Sequence, residues 1–96
     1  MNIRLEVLSG PFDGKIFTIT KSSDIGRDPA APLGLPLDRF LSRRHARILV
    51  AEPECFLEDL DSTNGTFIKD DRLKGRILLS NGDRFKVGQT VLEIAW

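Results

Sequence analysis

Residues 81–96 read Asn81-Gly82-Asp83-Arg84-Phe85-Lys86-Val87-Gly88-Gln89-Thr90-Val91-Leu92-Glu93-Ile94-Ala95-Trp96. Phe85 and Val87 alternate with Lys86, and Leu92, Ile94 and Trp96 alternate with Glu93. Side chains of a strand point to opposite faces in turn, so each run lays one face on a core and turns the other to solvent. Asn81-Gly82 before the first run and Gly88 between the two are turn signals. The same period recurs outward along the chain, in Ile3, Leu5 and Val7, in Phe17 and Ile19, and in Ala46, Ile48 and Val50. Between these runs lie Ser9-Gly10-Pro11, Asp13-Gly14, Asp28-Pro29, Pro32, Asn64-Gly65 and Lys74-Gly75. Short alternating runs punctuated about every ten residues predict an all-β sandwich or barrel. No window carries a capped 3.6-residue period, so helices are expected to be short or absent, and no repeat or linker interrupts the pattern.

Ninety-six residues fit one domain spanning 1–96, with 41% hydrophobic and 29% charged residues as in a globular protein. Fourteen basic residues balance fourteen acidic ones, which removes bulk positive charge as an argument for nucleic-acid binding. A single Cys55 excludes an internal disulfide, and with the single His45 it cannot complete a four-ligand zinc site. No metal or cofactor is expected. No apolar run is long enough to span a bilayer as a helix, and the N-terminus lacks a signal-peptide pattern, so a cytoplasmic setting without membrane attachment is the expectation. Cys55 reads as a buried strand residue.

Charge is sorted locally. Arg39, Arg43, Arg44 and Arg47 fall in a stretch free of acids, and Glu52, Glu54, Glu58, Asp59 and Asp61 follow in a stretch free of bases. Two readings stay open: neighbouring strands pairing their charges on a solvated face, or a positive spot where the first stretch begins.

Three islands then ask for one explanation: Ile25-Gly26-Arg27, Leu41-Ser42-Arg43-Arg44-His45-Ala46 and Asp61-Ser62-Thr63-Asn64-Gly65-Thr66. Each lies where a strand gives way to a loop. Together they hold arginines, hydroxyls, an imidazole, an amide and loop N–H groups, nearly all donors, as an anion site requires. Gly26-Arg27, Ser42-x-x-His45 and Asn64-Gly65 resemble, in order and spacing, the signature of the forkhead-associated (FHA) domain. The flanks Leu60-Asp61-x-x-Thr63-Asn64-Gly65-Thr66-Phe67 and Leu79-x-Asn81-Gly82-Asp83-x-Phe85-x-Val87-Gly88 agree, and the likeness covers about Ile3 to Trp96.

The resemblance implies an antiparallel β-sandwich of about eleven short strands with binding loops at one end. It implies recognition of phosphothreonine-containing protein or peptide, possibly in the same polypeptide, with a Ser/Thr kinase upstream. Arg27 and Ser42 match the residues that contact the phosphate. Arg43, after the motif serine, would contact phosphate or peptide backbone. Thr63 and Asn64 would hold the phosphate or loop and the peptide main chain. Gly26, His45 and Gly65 match positions that support the loops. Arg39 and Phe40, just before Ser42, are candidates for reading the third residue after the phosphothreonine, Phe40 favouring an apolar side chain and Arg39 tolerating an acid. A second reading of Phe40 stays open, tucked into the core edge; the other phenylalanines read as core, and Arg44 as facing outward or pairing with an acid.

No enzyme activity is expected: Ser42 and His45 have neither a Gly-x-Ser-x-Gly elbow nor an orienting carboxylate. The competing function inside the same fold is an FHA-type domain that docks a non-phosphorylated partner or self-assembles. Asn81-Gly82 reads as a plain hairpin turn. The start at Met1 suggests an N-terminal position in a longer chain, whose remainder beyond Trp96 would decide the pathway.

Overall fold

The computed structural model describes residues 1–96. Eleven strands follow one another without a helix: β1 (Ile3–Ser9), β2 (Ile16–Ile19), β3 (Ser23–Gly26), β4 (Leu33–Gly34), β5 (Ala46–Ala51), β6 (Glu54–Asp59), β7 (Thr66–Ile68), β8 (Asp71–Arg72), β9 (Arg76–Leu78), β10 (Arg84–Val87) and β11 (Thr90–Ala95). They form two sheets, in the orders β2-β1-β11-β10-β7-β8 and β4-β3-β5-β6-β9. Every pairing is antiparallel except β3 with β4, which is parallel, Ile25 beside Leu33 and Gly26 beside Gly34. The eleven-strand antiparallel sandwich is as expected, and the one parallel pair follows from the irregular segment 27–32 carrying the chain back to start β4 beside β3.

Alternation drives the packing. Ile3, Leu5 and Val7 of β1 are fully buried while Arg4 is exposed, and the register sets Leu5 opposite Ile94 and Val7 opposite Leu92. On the other sheet Ile48 lies opposite Leu57, both fully buried. The two inner faces join in one cluster of 18 buried apolar residues. Burying a side chain such as Leu57 stabilises the fold by about 1.5–3 kcal/mol relative to leaving it in water. Cys55 is buried in β6 as expected, and burial raises its thiol pKa.

Four expectations need correction. Trp96 follows β11 and is 40% exposed; its main chain pairs with the Asn81 amide in both directions. Asn81-Gly82 is therefore no hairpin turn: it lies between β9 and β10, which belong to different sheets. Of the six phenylalanines only Phe85 is fully buried; Phe12 and Phe17 pack half-buried against the core, Phe56 and Phe67 are half-buried, and Phe40 is exposed. Phe40 is 50% exposed and so is not tucked into the core edge. The tight β7–β8 hairpin turns through Lys69 and Asp70, both at positive φ (52° and 65°), the conformation that Asn-Gly usually supplies.

The charge sorting resolves in both ways. Arg47 lies opposite Glu58 in the β5–β6 register and also binds Asp24 at 2.7 Å, which is strand pairing on a solvated face. Arg44 reaches the same Asp24 at 3.3 Å. Together they hold the Asp24 carboxyl below its usual range, the Arg47 hydrogen bond contributing most. Arg27, Arg39 and Arg43 instead gather at one end of the sandwich.

Candidate functional site

Hydrogen bonds gather the loops after β3, β4, β6 and β10 into one surface. Gly26 ends β3 against the backbone of the next loop: a Cβ there would lie 1.9 Å from the Arg43 carbonyl oxygen. That contact sets the start of the following loop, where the Arg27 N–H donates to the Ser42 carbonyl at 3.0 Å and its Nε–H to the Leu41 carbonyl at 3.1 Å. The Arg27 side chain is thus anchored at Nε while its terminal N–H groups stay exposed, with no carboxylate within ion-pair distance. Arg43 is also exposed, facing Asp28 at 3.7 Å. Exposed pairs at such distances are worth little and yield readily to a stronger anion.

His45 is the hub. Its ring is fully buried. Nδ1 accepts the Ser42 N–H at 3.0 Å, so Nε2 carries the proton and donates to the Gly65 carbonyl at 2.8 Å. One neutral imidazole therefore joins the second and third loops. Gly65 takes φ 87°, and its own N–H donates to Ser62 Oγ at 3.0 Å.

Ser42 Oγ accepts the Thr63 N–H at 3.0 Å, leaving its own proton for an outside acceptor. Asn64 donates one amide N–H to the Phe40 carbonyl at 2.7 Å. Its Oδ1 and second N–H remain, one acceptor and one donor, which is what an extended peptide group requires. Arg27, Ser42, Arg43, Thr63, Asn64, Gly26, His45 and Gly65 are all brought to this end, with Arg39 and Phe40 on the adjoining loop. The side chains of Arg27, Arg43, Thr63 and Asn64 are exposed and that of Ser42 is half-buried.

Two carboxylates that the sequence did not reveal hold this surface. Asp38 is fully buried and accepts the Phe40 N–H at 3.1 Å, the Gln89 N–H at 2.8 Å and the Thr90 hydroxyl at 2.7 Å, tying the Phe40 loop to the β10–β11 turn. Asp59 accepts the Ser62 hydroxyl at 2.5 Å and the Thr66 hydroxyl at 2.8 Å, closing the third loop on itself. Burial pushes the Asp59 pKa up, but these hydrogen bonds and the one from the Ser62 N–H outweigh it, and the net direction is down. An isolated Asp among many carries no sequence signal for such a part; only the fold assembles its donors.

Burial pushes the His45 pKa below its ordinary 6.5, opposed by the Gly65 hydrogen bond and by Asp59 and Asp38. Below 6.5 the unfolded chain takes up a proton that the folded protein refuses. This contribution to stability is therefore complete above that pH and declines as pH falls towards the folded value, by at most about 1.4 kcal/mol per pH unit. Asp59 and Asp24 have lowered values, so their contributions decline only below about 3.8. The thermal midpoint is expected to start declining as pH is lowered through 6.5, ahead of the carboxylate range, and His45→Gln should flatten this early decline. A midpoint constant from pH 7 to 5 in the wild type would refute the assignment.

No three His, Cys, Asp or Glu side chains converge as metal ligands do, and no helix is long and apolar enough to cross a membrane. The chain is a two-sheet β-sandwich, a rigid scaffold that presents donors from several loops at one end. The chain belongs to the forkhead-associated family: the FHA domain model matches residues 24–88. The FHA domain-containing protein FhaB of Mycobacterium tuberculosis is 32% identical over 91 residues, 94% of this chain and 58% of FhaB. FhaB of Mycolicibacterium smegmatis is 36% identical over 70 residues, 73% of this chain and 44% of that protein. The chain thus spans about half the length of these curated relatives. Among solved structures, one from a study of phosphothreonine-dependent FHA domain interactions superposes with a TM-score of 0.87 at 29% identity, covering 100% of this chain and 97% of that one. The FhaA FHA domain complexed with the intracellular domain of Rv3910 gives 0.84 at 30% identity, covering 96% and 98%.

Proposed function

We propose that residues 1–96 form a single FHA domain that recognises phosphothreonine in a protein or peptide written by a Ser/Thr kinase, and performs no chemistry itself. The observation that carries this reading is the Arg27 guanidinium, anchored at Nε and exposed without a carboxylate partner, beside a Ser42 hydroxyl whose proton is free. A phosphothreonine brings about −1.5 to −2 charge and three strong acceptor oxygens. Arg27, Ser42 and Arg43 bind the phosphate, Thr63 supports it, and Asn64 pairs with the adjacent peptide group, while Gly26, His45 and Gly65 hold the loops. The likeness to FHA domains studied for phosphothreonine-dependent interactions supports the same reading.

Calorimetric titration of degenerate peptide pools with phosphothreonine, phosphoserine or threonine fixed tests the proposal. The expected result is binding of the phosphothreonine pool alone, with Kd near micromolar, about −8 kcal/mol. Equal binding of the unphosphorylated pool would assign the domain to docking or self-assembly instead.

Phe40, half exposed beside Asn64 and flanked by exposed Arg39, supports the apolar preference at the third residue after the phosphothreonine. A phosphopeptide library is expected to show apolar enrichment there that Phe40→Ala flattens; no enrichment in the wild type would end this assignment.

A further inference from the structure

Nine of the fourteen basic residues are arginines. Arg4, Arg43, Arg44, Arg47 and Arg84 each have a carboxylate within 4.0 Å, and Arg76 lies over the Phe56 ring at 5.0 Å. Three have neither: Arg27, Arg39 and Arg72. The first two stand on the loops already described. Arg72 stands on β8, opposite Phe67 of β7, and the Leu73 N–H donates to the Thr66 carbonyl at 2.7 Å where this hairpin meets the third loop.

Its guanidinium lies against that loop. A Cβ on Gly65 would come within 2.8 Å of Arg72 Nε and 3.1 Å of Cζ. Glycine at 65 therefore does two things: it takes φ 87°, and it leaves room for the arginine. The Gly65 carbonyl is already taken by His45 and its N–H by Ser62 Oγ, so the backbone beneath the guanidinium is fixed and offers it no free acceptor. The guanidinium N–H groups have no hydrogen-bond partner in the chain. Contacts across the surface run from Arg27 through Leu41 and Ser42 to Thr63, then to Gly65 and Arg72. A cation with a planar fork thus lies against the Asn64-Gly65 loop.

We propose that Arg72 is a further ligand-contacting residue, selecting an anionic side chain of the bound peptide on the Gly65 side of the phosphothreonine. The proposal rests on the phosphopeptide reading of the loop end. The ligand chemistry is a planar or tetrahedral oxyanion, either a carboxylate or a second phosphate, both of which suit the guanidinium fork. The Arg72 guanidinium lies against Gly65, the residue next to Asn64, and this contact is what places it at the edge of the proposed peptide site.

The test uses phosphothreonine peptides with neutral flanks, into which Glu, or in a second series phosphoserine, is placed at each flanking position in turn. Wild type is expected to prefer the anion at one position by about threefold to tenfold, the size of a partly exposed charge-assisted contact. Arg72→Gln should erase that preference, leave the neutral phosphopeptide unchanged and leave the thermal midpoint unchanged; Arg72→Glu should reverse it in favour of Lys. Comparing the Glu and phosphoserine series identifies the preferred source. No anion preference in wild type, a preference that survives Arg72→Gln, or equal weakening of all phosphopeptides would each overturn the proposal, the last by making Arg72 a support of the loop. Loss of phosphothreonine dependence in the wild type itself would instead refute the underlying reading of the site, and this inference with it.

Discussion

Arg27→Ala is expected to lower affinity for phosphothreonine peptides by about a hundredfold or more. Nε is engaged by the Leu41 carbonyl, which leaves the terminal N–H groups to make the charge-assisted bonds to phosphate. Two such bonds at about 1.5–3 kcal/mol each give about 3–6 kcal/mol, and every 1.4 kcal/mol is tenfold. From a micromolar wild type the variant falls to near-millimolar affinity or weaker, and the calorimetric signal is lost. Stability should change little, because the side chain is exposed. Arg27→Lys keeps the charge but neither the fork nor the Leu41 anchor, and should fall between the two. Arg44→Ala is the matched control: its guanidinium is engaged by Asp24, and its loss should alter affinity by less than about threefold. Unimpaired phosphopeptide binding by Arg27→Ala would show that the phosphate lies elsewhere.

The contrast between Arg27 and Arg44 shows how a chain of zero net charge can carry a cationic surface. The acids are placed to neutralise some arginines and not others. Asp24 serves Arg44 and Arg47, Glu58 adds to Arg47, and Glu93 serves Arg84 at 2.8 Å. The buried carboxylate of Asp38 and the carboxylate of Asp59 at the end of β6 are satisfied by N–H and hydroxyl donors instead, so they hold loops without pairing with the exposed arginines. The loops that present Arg27 are thus held by hydrogen bonds that leave its terminal N–H groups without a carboxylate partner.

Strands with strict alternation were legible because burial on one face selects period two: β1, β5, β10 and β11 could each be read from their apolar residues. Strands of two or three residues, such as β4, β8 and β9, are too short to show a period and exist because a longer neighbour pairs with them. The Lys69-Asp70 turn carries no glycine, and although aspartate is enriched at positive φ, lysine is not, so the dipeptide is a weak turn signal. Asn64-Gly65 and Asn81-Gly82 were visible as turns, but whether a turn joins partners in one sheet or crosses between two is decided by sheet order. At the candidate site, Gly26, Arg27, Ser42, His45, Thr63, Asn64 and Gly65 were legible through motif spacing. Asp38 and Arg72 were not, since their meaning lies in contacts with Gln89 and Gly65, across gaps that no local pattern spans.

Gly26→Ala is expected to cause the largest loss of stability of any single methyl addition at the loop end, and to carry binding down with it. The added Cβ would sit 1.9 Å from the Arg43 carbonyl oxygen and 2.8 Å from its carbon. Backbone cannot swing aside like the tip of a long side chain, so the 42–44 segment must move by more than an ångström. That segment is held to β3 on both sides of the contact, by the Arg27 N–H to the Ser42 carbonyl at 3.0 Å and by the His45 N–H to the Ile25 carbonyl at 2.9 Å. Moving it weakens those bonds and displaces Ser42 and His45 together. Overpacking alone costs about 1–3 kcal/mol, occasionally more; with a strained hydrogen bond in addition, about 3 kcal/mol is expected. In a domain of this size that lowers the thermal midpoint by roughly 12–24 °C. Gly82→Ala separates the steric cause from the conformational one. Gly82 has φ 91° but open space where its Cβ would be, so its variant bears only a backbone cost of about 1–2 kcal/mol and should keep full phosphopeptide affinity. Equal midpoints for the two variants, with binding intact in both, would show that the β3 terminus yields easily and that Gly26 does not set the position of Arg27 and Ser42. A larger drop for Gly26→Ala, with affinity reduced even where the variant is folded, would tie the phosphate-binding geometry to the absence of one methyl group.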